Sequence, residues 1–177
     1  PAVAAGMTTR IAARVAALLD KLPDGADIVG DFAQPLTAGV ICDLLGVADE
    51  DTEFLRGWTR DFGKLIYGAS SHGADYASAV ARAGDLFHDR MTPLIERRRA
   101  EPRDDLISHL IANSAAEGWT TAELLGAASM LLFAGHDTTS ALIASSTRAL
   151  LLDADSRARF LAEPALAETA IEELLRY

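Results

Sequence analysis

The sequence has a single cysteine and a deficit of positive charge. Cys42 is alone among 177 residues, which excludes a disulfide framework and suits a reducing compartment. The chain carries 16 Lys and Arg against 26 Asp and Glu, a formal net charge of −10. That balance argues against nucleic acid and anionic membrane as partners. The N-terminal residues also lack the pattern of a signal peptide or anchor, so we expect a cytoplasmic protein.

The sequence also lacks an unbroken apolar run long enough to cross a membrane. Its most apolar stretch, residues 124–152, has no Lys or Arg before Arg148 and a single acid, Asp137. The polar cluster around that acid interrupts the stretch well short of the ~18 residues that spanning requires. A helix that is apolar on nearly every side otherwise lies in a protein interior. We therefore predict a long buried helix over Thr121–Leu152, with a polar notch at residues 135–140.

The notch departs from helical preferences. Gly135 costs about 1 kcal/mol relative to alanine in a helix interior, and Asp137 and Thr138 compete for backbone hydrogen bonds. Burial of an ionised carboxylate without partners costs far more. A local conflict flanked by consistent helix on both sides is typical of a functional site. The alternative is that Gly135 ends one helix and that Asp137 or Thr138 caps a second one.

Three other features have ordinary structural interpretations. Cys42 lies in an apolar helical run, where a free cysteine is usually a buried packing residue. The arginines at 97–99 close a predicted helix at its negative end. Because Glu96 and Glu101 flank them, we interpret them as a solvated helix end rather than a phosphate site. Residues 27–29 are β-branched in part and compatible with a short strand.

Four segments, taken in chain order, resemble segments of the cytochrome P-450 family. Residues 134–139, Ala-Gly-His-Asp-Thr-Thr, resemble the family's oxygen-activation motif, and Glu173 with Arg176 resembles its Glu-x-x-Arg helix. Upstream, residues 40–47 resemble the helix before the substrate-access region, and residues 98–108 resemble another recurrent segment. The chain thus looks like the central part of a bacterial soluble cytochrome P-450. The resemblance implies an all-α structure of about eight helices, forming one partial domain over the whole chain.

The resemblance assigns roles to the notch. It implies that a haem lies against the middle of the helix, where Ala134 and Gly135 let the flat macrocycle approach the backbone. Thr138 would contact the cofactor and supply the hydroxyl beside dioxygen, and Asp137 would be the acid that resupplies its proton through water. The family's iron ligand is a cysteine thiolate in a loop after the Glu-x-x-Arg helix. Nothing around Cys42 resembles that loop, so no metal ligand is assigned in this chain.

The resemblance also assigns supporting residues. Glu173 and Arg176, spaced i, i+3 on one helix face, match a buried charge network of the family. The alternative is a surface ion pair worth about 0.5 kcal/mol. Four side chains before the expected substrate-access loop are candidates for the substrate pocket, with core packing as the alternative: Phe62, Leu65, Ile66 and Tyr67.

The function that the resemblance implies is that of a haem-thiolate monooxygenase. Such an enzyme activates dioxygen and hydroxylates a small or medium apolar organic substrate, with electrons from a ferredoxin or flavoprotein. We expect this chain by itself to be inactive and haem-free, since it does not contain the cysteine loop. We also expect it to self-associate through exposed apolar faces. The alternative is a non-catalytic, haem-free helical remnant or interaction module.

Overall fold

The computed structural model describes residues 2–67 and 76–176, and within them the side chains of all but residues 2–5, 49, 50, 64, 65 and 67. The described residues form eight α-helices: α1 (Ala2–Leu19), α2 (Gln34–Leu45), α3 (Asp49–Tyr67), α4 (Tyr76–Ala100), α5 (Leu106–Ser114), α6 (Thr121–Leu152), α7 (Ala154–Ala162) and α8 (Ala167–Leu174). Three short helical segments connect them: a π-helical turn at Ile28–Ala33 and 3₁₀ turns at Ala115–Glu117 and Pro164–Leu166. No strand occurs in these ranges, which confirms the all-α prediction.

Helix α6 begins and ends at side chains that cap it. The Thr120 hydroxyl accepts from the backbone N–H of Glu123 at 3.3 Å, and the Glu123 carboxylate accepts from the backbone N–H of Thr120 at 2.7 Å. This is the predicted capping box. Asp153 ends the helix and accepts from the first backbone N–H groups of α7. The 32-residue helix passes through the notch without a break, so the alternative of two helices separated at Gly135 is wrong.

The core lies between α2, α3, α4, α5 and the first half of α6. Only one side of α6 is buried, along residues spaced three or four apart: Leu124, Leu125, Ala128, Leu132, His136 and Ser140. The prediction of a fully buried helix is therefore wrong for the described part of the chain, because the neighbouring helices cover only that side. Met130 remains 66% exposed and Leu152 remains 71% exposed.

Residues 27–29 do not form a strand. The Asp27 carboxylate accepts from the backbone N–H of Val29 at 3.0 Å, and the Asp31 carboxylate accepts from the backbone N–H of Asp27 at 2.8 Å. Two carboxylates thus satisfy backbone donors locally and close a helical turn. That turn leads into α2, which has Pro35 in its first turn and ends at Gly46 in the left-handed region, with φ at 75°.

The segment Ile28–Leu45 is the one stretch of the described chain with the length and apolarity of a membrane span. Half of it is buried inside the protein. It also carries Asp43, which accepts two hydrogen bonds from Arg14 at 2.6 and 2.7 Å and one from Arg10 at 2.7 Å. This segment, which includes α2, therefore packs as a core element. The ion pairs of Asp43 with the two arginines join α2 to α1.

Arg98 is buried, contrary to the prediction of a solvated helix end at residues 97–99. Its guanidinium pairs with the Asp105 carboxylate and donates to the carbonyl of Gly46 at 2.9 Å. Asp105 in turn caps α5 by accepting from the backbone N–H of Ser108 at 2.9 Å. The prediction holds for the flanking arginines, which are exposed. Arg98 differs because it faces the junction of three helices.

Candidate functional site

The notch residues of α6, together with Ala134 before them, divide between a solvent side and a core side. Ala134 and Thr138 are exposed, and His136 and Ser140 are buried. Each pair is spaced i, i+4, so each occupies one face of the helix. Asp137 is half-buried between the two faces. The notch therefore has two sides, with Thr138 on the solvent side and His136 on the core side.

The exposed face of α6 carries no charge between Met130 and Thr138. Met130, Leu131, Ala134 and Thr138 follow one another along it, with the small Ala134 at the centre. The Thr138 hydroxyl donates to the carbonyl of Ala134 at 2.7 Å. The hydroxyl oxygen is thereby held at the surface of the helix, with its lone pairs directed away from the backbone.

Gly135 faces α2 rather than the exposed side. A Cβ at residue 135 would lie 2.9 Å from Cδ1 of Ile41, closer than side chains tolerate. Packing therefore explains the glycine at position 135, because Ile41 fills the space that a side chain would need. The predicted contact of Gly135 with a cofactor stays a prediction, and Ala134 is the residue that lies on the open face.

His136 was given no role by the sequence interpretation, yet it is the most buried polar residue of the notch. It is 2% exposed, and its Nδ1 lies 2.9 Å from Oγ1 of Thr37, which is itself buried. Burial lowers the pKa of His136, the charge of Asp137 opposes this shift, and that of Arg56 adds to it. The imidazole is consequently neutral at neutral pH. Its position inside the six-residue motif was the only available sequence signal.

Asp137 lies against α3. Its Oδ2 is 3.5 Å from where a Cβ of Gly63 would be, and the ring of Phe133 approaches the same point to 3.4 Å. Asp137 also lines a groove of about 610 Å³ that runs along α6 beside Gln34 and Ser140. The carboxylate is thus reachable by water from one side while packed on the other.

Phe62 belongs to an aromatic cluster next to the notch. It stacks on Trp58 with centroids 4.7 Å apart and meets the edge of Phe133 at 5.6 Å. The Trp58 indole N–H donates to the carbonyl of Ala83 at 2.7 Å and ties the cluster to α4. Of the other predicted pocket residues, Ile66 is 45% exposed. The predictions for the side chains of Leu65 and Tyr67 lie outside the described residues.

Glu173 and Arg176 form an ion pair at the end of α8. Their side chains are 69% and 78% exposed, so in this structure they match the alternative of a surface pair. A solvated pair of this kind contributes at most about 1 kcal/mol. They lie on a different helix from the notch, and the described contacts of the notch residues do not include them.

Two curated proteins resemble the chain over most of its length. Pentalenic acid synthase of Streptomyces avermitilis is 38% identical over 178 residues, which cover 98% of the chain and 42% of that protein. The cytochrome P-450 monooxygenase PikC of Streptomyces venezuelae is 38% identical over 158 residues, 88% of the chain and 36% of that protein. The chain is also similar to solved structures of such proteins. The ligand-free cytochrome P-450 TbtJ1 is 32% identical with a TM-score of 0.83, over 99% of the chain and 46% of that structure.

The chain belongs to the cytochrome P-450 family. A myxobacterial family member, CYP267B1 in complex with myristic acid, is 35% identical with a TM-score of 0.82, over 97% of the chain and 42% of that structure. The chain spans about two fifths of the length of the curated relatives it matches. No family model matches it.

The exposed face of α6 fits the haem that the cytochrome P-450 family implies. A porphyrin is flat and apolar, and this face is uncharged, with a methyl group at its centre in Ala134 and apolar side chains beside it in Met130 and Leu131. The Thr138 oxygen is the one side-chain polar atom among these four residues. Leu131, Ala134 and Thr138 are therefore the residues that would contact the group.

Proposed function

We propose that the protein is a cytochrome P-450 monooxygenase and that this chain supplies the distal side of its haem site. The observation that carries the proposal is the uncharged, exposed face of α6 with Ala134 and Thr138 at its centre and Asp137 at its border. When bound, the haem would supply the iron chemistry that reduces dioxygen. The residues of α6 would supply the route by which protons reach this side of the site.

Thr138 is the proposed proton donor. Its hydroxyl oxygen is fixed 2.7 Å from the carbonyl of Ala134, and rotation about a single side-chain bond redirects the proton from that carbonyl to the open face. The proton that it gives away must be replaced. Because adjacent residues on a helix do not face each other, replacement from Asp137 runs through water.

Asp137 is the proposed acid of this relay. It borders both the notch and the groove beside Gln34, through which solvent reaches the carboxylate. A proton would pass from solvent to Asp137, through water to Thr138, and from the Thr138 hydroxyl to the open face of α6, and each group would return to its starting state.

We further propose that the substrate is a small or medium apolar organic molecule, that it is hydroxylated, and that it lies over the same face of α6. Met130 is exposed on that face, and the exposed Ile66 and the ring of Phe62, which packs on Phe133 of α6, are further apolar candidates from α3. We assign the enzyme to the cytoplasm, with electrons supplied by a ferredoxin or a flavoprotein.

An absorption spectrum of the complete protein tests the proposal. The protein is loaded with haem, reduced and exposed to carbon monoxide, and we expect the strongly red-shifted Soret band of a thiolate-ligated haem. Myristic acid, which a relative binds, is then supplied with a ferredoxin and its reductase, and hydroxylated product is measured. A complete protein that takes up no haem, or that shows only the band of a histidine-ligated haem, would overturn the proposed function.

A further inference from the structure

Two consecutive notch residues, Gly135 and His136, are held by two residues of α2. Ile41 fills the space beside Gly135, and Thr37 lies 2.9 Å from Nδ1 of His136. Thr37 and Ile41 are one turn apart on the same face of α2. A helix fixed at two adjacent residues by two points on a neighbour cannot turn about its own axis without breaking one of the contacts. Helix α2 therefore sets the rotation of α6 at the notch.

The neighbours of the Thr37 hydroxyl favour one direction for its hydrogen bond with His136. The Thr37 hydroxyl lies 3.0 Å from the carbonyl of Ala33 and 3.3 Å from that of Gln34. A carbonyl oxygen can only accept, and we assign the single hydroxyl proton to these two carbonyls. The hydroxyl oxygen then accepts from His136, which makes the imidazole the Nδ1–H tautomer. Imidazole side chains in water prefer the Nε2–H tautomer, so this assignment gives His136 the less common Nδ1–H form.

The rotation of α6 decides where the relay residues point. Successive side chains on an α-helix project about 100° apart, so a turn of a few tens of degrees moves each of them off its present neighbour. In the observed setting Asp137 lies against Gly63, and Thr138 lies on the exposed face. The setting therefore places the acid at the solvent groove and the hydroxyl at the open face at the same time.

We propose that the Thr37–His136 hydrogen bond is a positioning device for the proton relay, an inference that rests on the proposed function. His136 touches neither dioxygen nor substrate. It acts by holding α6 at the rotation in which Asp137 and Thr138 are both placed for proton transfer. Burial lowers the pKa of His136, and of the charged groups that face it, Asp137 from α6 opposes this shift and Arg56 from α3 adds to it.

Substitutions of Thr37 in the complete, haem-loaded protein test this inference. Thr37→Val keeps the shape of the side chain and removes the acceptor, whereas Thr37→Ser keeps the acceptor. Thr59→Val is the matched control, because Thr59 is equally buried and its hydroxyl also donates to a carbonyl one turn earlier, at 2.8 Å, but faces no histidine. With myristic acid as the probe substrate, we expect Thr37→Val to divert electrons from product to hydrogen peroxide several-fold. Thr37→Ser and Thr59→Val should stay near the wild-type ratio.

Nitrogen NMR of the imidazole gives a second readout that does not depend on activity. In the diamagnetic ferrous carbon-monoxide form we expect His136 to show the Nδ1–H tautomer, and Thr37→Val to shift it to the Nε2–H tautomer. The nuclear Overhauser contact between Gly63 and the Phe133 ring reports the rotation of α6, and it should weaken only in Thr37→Val. A wild type with the Nε2–H tautomer would overturn the inferred direction of the bond.

The outcomes separate the inference from the proposed function. If the wild-type protein shows no thiolate-type spectrum, or leaves myristic acid unoxidised, the two NMR signals still decide whether Thr37 sets the rotation of α6. If Thr37→Val loses the tautomer but keeps wild-type coupling, the bond is structural and the positioning role is refuted. Should Thr37→Val fail to fold, His136→Asn and His136→Leu replace it. The Asn amide reaches the Nδ1 position, so equal coupling in those two variants would also refute the role.

Discussion

Asp137 of α6 lies against Gly63 of α3, with its Oδ2 3.5 Å from the point that a Cβ of residue 63 would occupy. The carboxylate at the centre of the candidate relay is therefore bordered by a residue that has no side chain. Phe133 uses the same space. The fit between α3 and α6 at this point therefore depends on a small residue at position 63, and not on the backbone freedom of glycine.

The first prediction concerns the size of residue 63. Gly63→Ala places a methyl group at ordinary contact distance and should leave the coupling of electron use to product unchanged. Gly63→Leu must displace either Asp137 or Phe133, and we expect several-fold more hydrogen peroxide per electron pair. Peroxide and product are measured in the complete protein with myristic acid. Gly57→Leu on the same helix is the control, because the atom nearest to its Cβ position is the flexible end of Arg60 at 3.9 Å. Equal coupling in the two leucine variants would contradict the prediction.

The second prediction concerns the Thr138 hydroxyl. Thr138→Val keeps the shape of the side chain and removes the proton donor, so electrons should still be consumed while product falls and peroxide rises. Thr138→Ser keeps a hydroxyl that can donate, and it should retain most of the coupling. Thr147→Val, nine residues along α6 and with the same hydroxyl-to-carbonyl bond at 2.7 Å, controls for the loss of such a bond. Unchanged coupling of electrons to product in Thr138→Val would reject the assigned role.

Local signals predicted the helices, and contacts distant in sequence decided the rest of the site. The capping box of Thr120 and Glu123 is written within four residues, and it fixed the start of α6. By contrast, His136 and Thr37 are 99 residues apart, and no pattern along the chain pairs them. The sequence shows that Gly135 is unusual in a helix. The explanation, that the side chain of Ile41 fills the space beside it, becomes visible only when α2 packs on α6.

The two errors of local interpretation have the same origin. Residues 27–29 have the composition of a strand, but the carboxylates of Asp27 and Asp31 satisfy the backbone donors and favour a helical turn. Arg98 has the same local environment in sequence as its two arginine neighbours. Only the direction of its side chain, towards Asp105, distinguishes it. Composition does not contain that direction.

The third prediction tests the contact between Gly135 and Ile41. Gly135→Ala should destabilise the protein, because its Cβ would lie 2.9 Å from Ile41 Cδ1 and 3.3 Å from Cγ1. Ile41→Val removes Cδ1 at a typical cost of about 0.5–1.5 kcal/mol. In the double variant the collision is relieved, and alanine gains about 1 kcal/mol of helix propensity over glycine. Denaturant unfolding of the four proteins should therefore show a double variant that is more stable than the sum of the single effects predicts. Strict additivity would show that the two residues do not compete for space.

The fourth prediction separates buried from solvated arginines. Arg98→Ala leaves the carboxylate of Asp105 buried without its partner, and loss of one member of a buried pair costs about 3–5 kcal/mol. Arg97→Ala, on the exposed side of the same turn, should change the free energy of unfolding by about 0.5 kcal/mol or less. Urea unfolding of the two variants provides the comparison. A similar small effect of both substitutions would mean that Asp105 finds another partner.

The last prediction is the pH dependence of stability that follows from His136. Burial lowers the pKa of this imidazole in the folded protein, so the unfolded chain binds a proton more readily than the folded one. The contribution of His136 is therefore fully present above the unfolded pKa of about 6.5, and stability falls as the pH drops below that value. The free energy of unfolding should decline by up to about 1.4 kcal/mol per pH unit from this residue alone, until the folded pKa is reached.

Urea unfolding between pH 5 and pH 7.5 measures the slope. His136→Asn should flatten it, and His88→Gln, an exposed side chain, should leave it as it is. A slope that survives His136→Asn would assign the pH dependence to other groups and remove the evidence that the notch histidine is held neutral.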